Sequence, residues 1–413
     1  MKKYCLIGEK LSHSYSAEIH GRAGLDYTLC EVKKEALKSF VDSGYDGFNI
    51  TIPYKREIIP FLDEIDDGAK AIGAVNTAVK KGDKYYGYNT DLNGMRYALQ
   101  RKGISVSDKN VMILGSGGTS DTAKALCEKD GARSVVKVSR SGEINYGNYG
   151  ELKETEIVIN ATPVGTTPNI GVSPIDLSVL PNVKAVFDCV YNPFKTALIM
   201  QAEKLGIICS DGLPMLVKQA ILAQELWGVK RERDETEEYI DALYKEKSDI
   251  VLIGMPSSGK TSVGKAVAEM LGKKFTDTDA EIYNETGKTP AEIIEKQGET
   301  AFRNIETAIV KRVAVNSGVV LATGGGAVIK EENICALKAN GVICYIKRDL
   351  NLLSSDGRPL SKNLGICRLY EERKNLYEQA ADFSVDNSGT IEVCANAVVR
   401  KFNEWQFNPK IKN

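Results

Sequence analysis

Residues 254–261 read GMPSSGKT, and this stretch decides the fold of the second half of the chain. It fits the pattern Gly-x4-Gly-Lys-Ser/Thr, follows an apolar run at 250–253 and precedes a helical pattern through Val263, Val267 and Leu271. In such a loop the glycines let backbone N–H groups face phosphate, the lysine reaches the outer phosphates and the last hydroxyl can ligate Mg²⁺. The stretch therefore predicts a nucleotide-binding loop, whose contacts we assign to Gly254, Ser258, Gly259, Lys260, Thr261 and Ser262.

Short apolar runs alternate with helical patterns along most of the chain. Runs that are typical of buried strands lie at 111–114, 135–138, 157–159, 185–187, 250–253, 319–322 and 342–346. Strands separated by helices predict βαβ units and parallel sheets, and therefore an α/β fold. A charge-dense run from Lys230 to Lys247, with apolar residues at 240, 243 and 244, predicts a solvated amphipathic helix. We place the domain boundary after this helix, at 247/248.

The composition excludes several classes of protein. The chain has 413 residues, and about 150 residues per domain corresponds to between two and three domains. Its 43% apolar and 26% charged residues exclude wholesale disorder, and its net charge of −1 predicts no bulk attraction to nucleic acid or anionic membranes. Nine cysteines without a Cys-x-x-Cys pair argue against a disulfide framework or a zinc site. His13 and His20 are too few for a His-rich metal site, and we assign neither a catalytic role.

The amino-terminal segment lacks a signal-peptide pattern, because its apolar stretch is short and is followed at once by Glu9 and Lys10. The longest uncharged stretch, 313–329, contains Asn316, Ser317 and three consecutive glycines, so we do not interpret it as a membrane span. We therefore expect a cytoplasmic protein whose partners are small molecules, with no nucleic-acid or membrane partner. The sequence leaves the oligomeric state open.

Further motifs follow the nucleotide-binding loop. They are FTDTD at 275–279, GETAFRNIE at 298–306, GGG at 324–326, GRPL at 357–360 and ERKNLY at 372–377. The spacing of two between Asp277 and Asp279 predicts an extended segment with both carboxylates on one side. In this order after a phosphate-binding loop, the motifs resemble shikimate kinase, a small relative of the nucleoside monophosphate kinases, from about residue 248 to the carboxyl end.

This resemblance implies ATP and Mg²⁺ as cofactors and shikimate as the substrate. It implies that Asp279 binds the shikimate hydroxyls and acts as the base, and that Asp277 holds Mg²⁺ together with Thr261. Lys260 and Arg358 then stabilise the transferring phosphoryl group, Arg358 from a mobile lid, because phosphoryl transfer depends on positioning and charge stabilisation.

The same resemblance assigns the substrate contacts of the second half. Arg303 and Arg373 clamp the substrate carboxylate, for which planar guanidinium groups are suited. Gly324, Gly325 and Gly326 let the substrate ring approach the backbone closely.

Two positions depart from the kinase pattern. Members often carry another lid arginine seven residues before the Arg358 match, and here that position is Asn351. The usual Arg-x-Pro-Leu-Tyr motif reads RKNLY at 373–377. These departures put lid closure and the adenine-side contacts in doubt.

A second glycine-rich loop lies in the first half, where GSGGTS at 115–120 follows the run at 111–114 and precedes a helical pattern at 122–126. It fits Gly-x-Gly-x-x-Gly except that Ser120 replaces the last glycine and is still small enough for close packing. NAD-binding folds usually carry an acidic residue at the end of the next strand, whereas this chain has Ser139, Arg140 and Ser141. Because a cation suits a 2′-phosphate, we predict a Rossmann-like domain that binds NADP(H), with contacts at Gly115, Gly117, Gly118, Ser139, Arg140 and Ser141.

Polar motifs surround this loop in sequence. They are SHSYS at 12–16, NITIPYK at 49–55, GAVNT at 73–77, GYNTD at 87–91, NAT at 160–162, DCVYNP at 188–193 and DGLPMLVKQ at 211–219. Together and in order they resemble shikimate dehydrogenase from residue 1 to about 245. The resemblance implies a substrate domain at about 1–95 and 213–247, an NADP-binding domain at about 96–212, and hence a kinase domain at 248–413.

Residue roles in the first half also follow from this resemblance. Lys55 donates the proton to the developing alkoxide during hydride transfer, and Asp91 orients Lys55 and holds a substrate hydroxyl. The side chains that bind 3-dehydroshikimate are Ser14, Ser16, Thr51, Asn76, Tyr191 and Gln219. Further NADP(H) contacts are Asn160, Thr162 and Gly212, the last through its backbone near the nicotinamide.

The product of the first reaction is the substrate of the second. The two halves therefore predict a bifunctional enzyme that reduces 3-dehydroshikimate with NADPH and then phosphorylates the 3-hydroxyl of shikimate. Two alternatives remain for the first half: a quinate/shikimate dehydrogenase that uses NAD, and a regulator that binds shikimate without turning it over.

Overall fold

The structure is a computed structural model that describes residues 2–11, 14–353 and 365–407. Contacts divide the chain into two compact units, residues 1–241 and residues 242–407. The division falls inside a helix, α8 (Thr236–Lys247), rather than after it. Among the described residues, no helix combines the length and the apolar character that a membrane span requires.

The first sheet of unit 1 is mixed and has six strands in the order β2-β1-β3-β5-β6-β4. The strands are β1 (Lys3–Gly8), β2 (Asp26–Glu31), β3 (Gly47–Ile50), β4 (Glu64–Ile65), β5 (Thr77–Lys81) and β6 (Lys84–Tyr88). β1 pairs in parallel with β2 and β3, whereas β5 runs antiparallel to β3 and β6. Three helices connect them: α1 (Ser16–Arg22), α2 (Leu37–Val41) and α3 (Asp67–Ile72). None of these strands was predicted from the sequence.

The second sheet of unit 1 is entirely parallel, with five strands in the order β11-β10-β9-β7-β8. The strands are β7 (Asn110–Leu114), β8 (Ser134–Val138), β9 (Ile157–Asn160), β10 (Ala185–Asp188) and β11 (Ile208–Ser210). The helices are α4 (Asp91–Arg101), α5 (Gly118–Lys129), α6 (Ala197–Lys204) and α7 (Leu213–Leu226). Apolar clusters cover both faces, since Ile113 and Phe187 pack on one side and Met112 and Val186 on the other. The predicted parallel α/β arrangement is confirmed here.

The sheet of unit 2 is also parallel, in the order β13-β14-β12-β15-β16. The strands are β12 (Asp249–Ile253), β13 (Lys274–Asp277), β14 (Val319–Ala322), β15 (Gly341–Lys347) and β16 (Phe383–Asp386). The helices are α9 (Lys260–Leu271), α10 (Thr278–Thr286), α11 (Pro290–Gln297), α12 (Glu299–Val313), α13 (Glu331–Lys338), α14 (Ile366–Ala380) and α15 (Ile391–Glu404). The predicted strand, loop and helix around the GMPSSGKT stretch are confirmed as β12 and α9.

Short 3-10 turns complete the described secondary structure. They lie at Lys34–Ala36, Ile59–Phe61, Tyr149–Glu151, Leu177–Val179, Ala327–Ile329 and Leu350–Leu352.

Two local expectations were wrong. The FTDTD segment is not extended to its end, because β13 stops at Asp277 and Asp279 lies in the first turn of α10. Asp277 Oδ1 accepts hydrogen bonds from the backbone N–H groups of Asp279 (2.9 Å) and Ala280 (3.4 Å), so the side chain caps the helix and ends the strand. The charge-dense run also becomes helical only at Thr236, after its first six residues, 230–235.

The end of α8 is tied to unit 2. Lys273 Nζ donates to the carbonyl oxygens of Lys245 (3.1 Å), Glu246 (2.8 Å) and Ser248 (3.1 Å). Tyr244 is buried and its ring stacks on Phe407 with centroids 5.7 Å apart. These contacts satisfy carbonyl groups that the end of a helix leaves unpaired. The last turns of α8 are therefore part of the unit that contains β12.

Candidate active sites

A cavity of about 640 Å³ in unit 1 lies against the glycine-rich loop between β7 and α5. Gly115 has a φ of 116°, and a β-carbon there would lie 3.2 Å from the carbonyl oxygen of Ala161. Ser120 takes the place of the third glycine and donates from Oγ to the Gly115 carbonyl at 2.8 Å. The predicted cofactor residues that line the cavity are Gly115, Gly117, Gly118, Ser139, Arg140 and Thr162.

Three other predicted cofactor residues do not belong to the described lining of this cavity. Ser141 is exposed, and Gly212 packs so closely under the carbonyl of Cys189 that a side chain would collide with it. Asn160 is buried, accepts hydrogen bonds from Thr162 N (3.0 Å) and Oγ1 (2.6 Å), and donates to Asp188 Oδ1 at 2.9 Å. Asn160 thus shapes the loop that follows β9.

Asp188 is the last residue of β10, and its carboxylate joins this strand to the segments beside it. No role was predicted for it. Its carboxylate also accepts from Thr196 Oγ1 at 2.7 Å and from the N–H of Val190 at 3.0 Å. Burial raises the pKa of Asp188 to about 7, against the lowering effect of these hydrogen bonds.

Arg140 lies just past β8 and its side chain is exposed at the cavity edge, beside Ser139 and Tyr146. Burial raises the pKa of Tyr146, and the positive charge of Arg140 opposes that rise. Glu143 is exposed and is not part of the described cavity lining. The cation that the sequence predicts therefore lies at the cavity, whereas the nearby carboxylate of Glu143 does not belong to its described lining.

Lys55 lines the same cavity from the other side of the glycine-rich loop. Its Nζ donates to Asp91 Oδ2 at 2.6 Å and to Thr119 Oγ1 at 3.1 Å. The two charged side chains are only 11% and 7% exposed, so the ion pair is shielded from solvent. A β-carbon on Gly118 would lie 3.0 Å from Lys55 Cβ, and the glycine thus permits this close approach. Thr119 was missed, because the sequence gives no sign that a residue of the loop reaches Lys55.

The remaining predicted polar residues of unit 1 form two groups. Asn76 Nδ2 donates to Thr90 Oγ1 (2.9 Å) and to Gln219 Oε1 (3.3 Å), which joins β5 to α7. Ser14 Oγ lies 3.1 Å from Ser16 Oγ.

Two other predicted residues of unit 1 are Tyr191 and Thr51. Burial raises the pKa of Tyr191, and a hydrogen bond with Ser14 opposes the rise. Thr51 follows β3 and its N–H donates to the carbonyl of Ile7 at 2.9 Å.

Unit 2 contains a cavity of about 440 Å³ against the GMPSSGKT loop. Gly254 has a φ of 146° and Gly259 a φ of 92°, conformations that L side chains rarely adopt. Lys260 Nζ donates to the carbonyl oxygens of Gly254 (2.9 Å) and Met255 (2.8 Å). Ser258 Oγ is buried and has no hydrogen-bond partner within the described ranges. The loop therefore offers an unused hydroxyl and a buried ammonium group, as a bound nucleotide requires.

Two hard oxygen ligands meet beside this loop, since Thr261 Oγ1 donates to Asp277 Oδ2 at 2.7 Å. In the part of the chain that the structure describes, no group of three or more His, Cys, Asp or Glu side chains could hold a metal ion. Mg²⁺ typically takes one or two protein oxygens and completes its shell with phosphate and water. The pair Thr261 and Asp277 fits that ion when a nucleotide is bound.

The predicted arginines Arg303 and Arg373 line the same cavity. Arg303 Nη1 donates to Glu306 Oε2 at 2.7 Å, and Nε and Nη2 donate to Glu299 Oε1 at 3.2 and 3.0 Å. Burial raises the pKa of Glu306, whereas Arg303 lowers it. Glu306 belongs to the GETAFRNIE motif, but no role was predicted for it. Its position three residues after Arg303 on the same helix indicates that the two side chains are neighbours. Arg373 Nη1 donates to the carbonyl of Gly325 at 3.1 Å.

The three glycines make room for side chains. A β-carbon on Gly324 would lie 2.8 Å from Asp279 Oδ1, and one on Gly325 would lie 2.7 Å from Pro256 Cδ. One on Gly326 would collide with the Arg303 guanidinium group. In this structure the glycines thus bring the carboxylate and the guanidinium group to the cavity.

The lid region is only partly described. Arg358 lies outside the described residues, so its predicted role has no structural account. Asn351 lies in the turn Leu350–Leu352, where its Nδ2 donates to Asp349 Oδ1 at 3.0 Å. Two residues that the sequence analysis did not select adjoin the nucleotide loop: Arg348 lines the cavity, and Asn387 Nδ2 donates to the carbonyl of Ser258 at 2.7 Å.

Comparisons with known proteins agree with the division of the chain. Residues 256–403 match the family model described as shikimate kinase, and residues 6–78 match the shikimate dehydrogenase substrate binding domain. A protein of Clostridium perfringens called shikimate dehydrogenase (NADP(+)) is 39% identical over 267 residues, which cover 59% of this chain and 98% of that protein.

Two solved structures are similar over the same part of the chain. Shikimate dehydrogenase 1 from Peptoclostridium difficile has a TM-score of 0.55 at 36% identity and covers 59% of this chain and 98% of its own. A chorismate mutase/shikimate 5-dehydrogenase fusion protein from Clostridium acetobutylicum has a TM-score of 0.56 at 34% identity and covers 59% and 97%.

Proposed function

The chain belongs to the shikimate dehydrogenase family and carries a shikimate kinase domain, and from this premise we propose the roles of its residues in two consecutive reactions. It is a bifunctional enzyme of the shikimate pathway that uses NADP(H) and ATP. The first reaction reduces 3-dehydroshikimate to shikimate with NADPH, and the second phosphorylates the 3-hydroxyl of shikimate with ATP and Mg²⁺. The observation that carries the first assignment is the shielded Lys55–Asp91 pair, whose lysine lines the cavity against the glycine-rich loop.

In the reduction, Lys55 supplies the proton. Hydride arriving at the substrate carbonyl carbon leaves charge on the oxygen, and the Lys55 ammonium group donates a proton to it. Asp91, 2.6 Å from Nζ, holds the lysine in place and accepts a hydrogen bond from a substrate hydroxyl. Ser14, Ser16 and Tyr191 bind the carboxylate end, and Thr51, Asn76 and Gln219 bind hydroxyls. NADPH, when bound, supplies the hydride.

Arg140 selects NADPH over NADH. Its guanidinium group lies at the cavity edge next to Ser139, where a 2′-phosphate can accept charge-assisted hydrogen bonds. The exposed position of Glu143 outside the cavity lining supports this preference. It disfavours the alternative in which the first half uses NAD.

In the phosphorylation, Asp279 accepts the proton of the attacking 3-hydroxyl. Its Oδ1 lies next to Gly324 at the cavity, and the neighbouring Thr261 and Asp277 hold Mg²⁺. Lys260 neutralises charge on the phosphoryl group, and Mg²⁺, when held by Thr261 and Asp277, would neutralise further charge on the phosphates. Arg303 and Arg373, which line the same cavity, bind the shikimate carboxylate.

The Glu306 carboxylate holds Arg303 in position for this contact. Glu306 is fully buried and lies 2.7 Å from Arg303 Nη1, while the other edge of the guanidinium group is held by Glu299. A guanidinium group fixed on two sides loses little further freedom when it binds substrate.

The proposal also covers the partners of the enzyme and its location in the cell. The substrates are small molecules, and the enzyme works in the cytoplasm without nucleic-acid or membrane partners. The kinase region folds as a separate unit; the predicted boundary at 247/248 stays a prediction, and the contacts of Lys273 and Tyr244 support an earlier one.

Separate assays of the two reactions test the proposal. Purified chain with 3-dehydroshikimate should oxidise NADPH, and purified chain with shikimate and Mg-ATP should release ADP. Binding of shikimate without turnover in both assays would establish the regulator instead. Faster reduction with NADH than with NADPH, together with oxidation of quinate, would establish the quinate/shikimate dehydrogenase.

A further inference from the structure

Arg348 lies at the carboxyl end of β15, directly beside the nucleotide loop. β15 pairs with β12, the strand that leads into GMPSSGKT, with Tyr345 opposite Ile253. A β-carbon on Gly259 would lie 3.6 Å from Arg348 Nη1. Arg348 lines the same cavity as Gly259, Lys260 and Thr261. The guanidinium group is therefore positioned over the loop, at the carboxyl edge of a parallel sheet where ligands of such folds bind.

One donor of Arg348 is left unpaired within the described residues. Its Nε is buried and has no hydrogen-bond partner among them, and the guanidinium group makes no ion pair with any of them. The preceding residue differs: Lys347 is 45% exposed and its Nζ lies 3.7 Å from Glu378 Oε1. A buried cationic donor without a partner is costly, so a site that contains one is built for an anion.

The other cations in the described lining of the cavity each donate to a group of the protein. Lys260 donates to carbonyl groups of its own loop, Arg303 is held by Glu299 and Glu306, and Arg373 donates to the carbonyl of Gly325. The resemblance to shikimate kinase leads one to expect another lid cation at position 351, where this chain has Asn351 bonded to Asp349. Arg348 provides a cation three residues before Asn351, beside the GMPSSGKT loop.

We propose that Arg348 is a nucleotide-binding residue of unit 2 whose guanidinium group binds the phosphates of ATP and ADP over Gly259. A planar guanidinium group can donate two parallel hydrogen bonds to phosphate oxygens, which an ammonium group cannot. The assignment rests on the proposed kinase function of unit 2 and adds a residue to its nucleotide site. We assign the carboxylate of shikimate to Arg303 and Arg373, which lie next to Gly326 and Gly325, and not to Arg348.

Replacement of Arg348 by methionine in the full-length chain tests the assignment. The matched control is Lys347→Met, which removes the same charge from the adjacent residue outside the cavity. Isothermal titration should show the Kd for Mg-ADP rising about ten- to hundredfold in Arg348→Met, as loss of hydrogen bonds to a charged group predicts. The Lys347→Met protein should bind Mg-ADP like the wild type. Binding of NADPH to unit 1 and the urea unfolding transition of unit 2 should be unchanged in both variants, which shows that both units are folded.

Two further measurements identify the phosphates as the group recognised. The dependence of the Mg-ADP Kd on KCl concentration should become shallower in Arg348→Met, since one charge contact is lost. In the kinase assay the KM for ATP should rise and the KM for shikimate should stay constant. Arg348→Lys should recover part of the ADP affinity.

Specific results would overturn the assignment. The assignment is wrong if Arg348→Met keeps the wild-type affinity for ADP or if Lys347→Met loses as much affinity. It is also wrong if the salt dependence of the Kd is unchanged or if only the KM for shikimate rises. If the wild-type chain neither bound Mg-ADP nor released ADP from Mg-ATP in the presence of shikimate, the proposed kinase function itself would be wrong. Failure of Arg348 and failure of the proposed function are therefore distinguishable.

Discussion

Replacing Lys55 by methionine removes the proton donor of the reduction and keeps most of the side-chain volume. General acid–base groups contribute about 10² to 10⁴ in rate, so kcat/KM for 3-dehydroshikimate and NADPH should fall by that factor. The kinase rate with added shikimate should stay at the wild-type level, because Lys260 and Asp279 lie in the other unit.

The same change has a structural cost that must be separated from the chemical one. Lys55 Nζ lies 2.6 Å from Asp91 Oδ2, and the side chains are 11% and 7% exposed. Removing the lysine leaves the Asp91 carboxylate largely buried without its cation, which costs about 1–3 kcal/mol for a shielded polar group. The double variant Lys55→Met/Asp91→Asn removes the orphaned charge and should recover most of this stability without recovering activity.

Stopped-flow oxidation of NADPH and urea unfolding of unit 1 measure the two effects. Lys70→Met is the matched control, because Lys70 is 61% exposed and its Nζ lies 3.5 Å from Asp67 Oδ1. Near-wild-type reduction by Lys55→Met would refute the assignment of the proton donor. Recovery of reduction in the double variant would show that the loss was structural rather than chemical.

Three other predictions concern the cofactor, the base and the domain boundary. Arg140→Ala should raise the KM for NADPH about ten- to hundredfold and change the KM for NADH little, since hydrogen bonds to a charged group contribute about 1.5–3 kcal/mol. An equal rise in KM for both cofactors would contradict this prediction. Asp279→Asn should abolish ADP release with shikimate and leave NADPH oxidation intact, whereas the exposed control Glu285→Gln on the same helix should behave like the wild type. A fragment of residues 236–413 should fold and phosphorylate shikimate. A fragment of residues 248–413 should have a free energy of unfolding lower by about 3–5 kcal/mol, because it lacks buried Tyr244 and the carbonyl groups that Lys273 binds. Equal urea midpoints for the two fragments would show that α8 contributes nothing to unit 2.

The parallel sheets could be predicted from the sequence, and the mixed sheet could not. Strands such as β7 and β12 are continuous apolar runs because both faces are covered, and such runs stand out in a sequence. The strands β5 and β6 read TAVKK and KYYGY, with charged ends and partial exposure, so that they carry a weaker signal. β13 was predicted too long because the capping role of Asp277 depends on where the chain turns, which spacing alone does not specify.

The site residues divide in a similar way. Lys55 and Asp91 are 36 residues apart in sequence but occur in ordered motifs, and the resemblance was enough to pair them. Thr119, Arg348 and Asn387 were missed because their contacts arise only when separate strand ends and loops meet in three dimensions. Ser141 and Gly212 were assigned by position in a motif, and the structure places neither in the described lining of the unit 1 cavity.

One coupled measurement tests the central claim that this chain performs both reactions. Purified full-length chain is mixed with 3-dehydroshikimate, NADPH and Mg-ATP, and NADPH oxidation, ADP release and the phosphorylated product are followed together by absorbance and ³¹P NMR. We expect one ADP and one phosphomonoester per NADPH oxidised. Lys55→Met should form no phosphomonoester unless shikimate is added, and Asp279→Asn should accumulate shikimate. NADPH oxidation without any phosphomonoester, or a phosphomonoester formed from 3-dehydroshikimate in the absence of NADPH, would contradict the central claim.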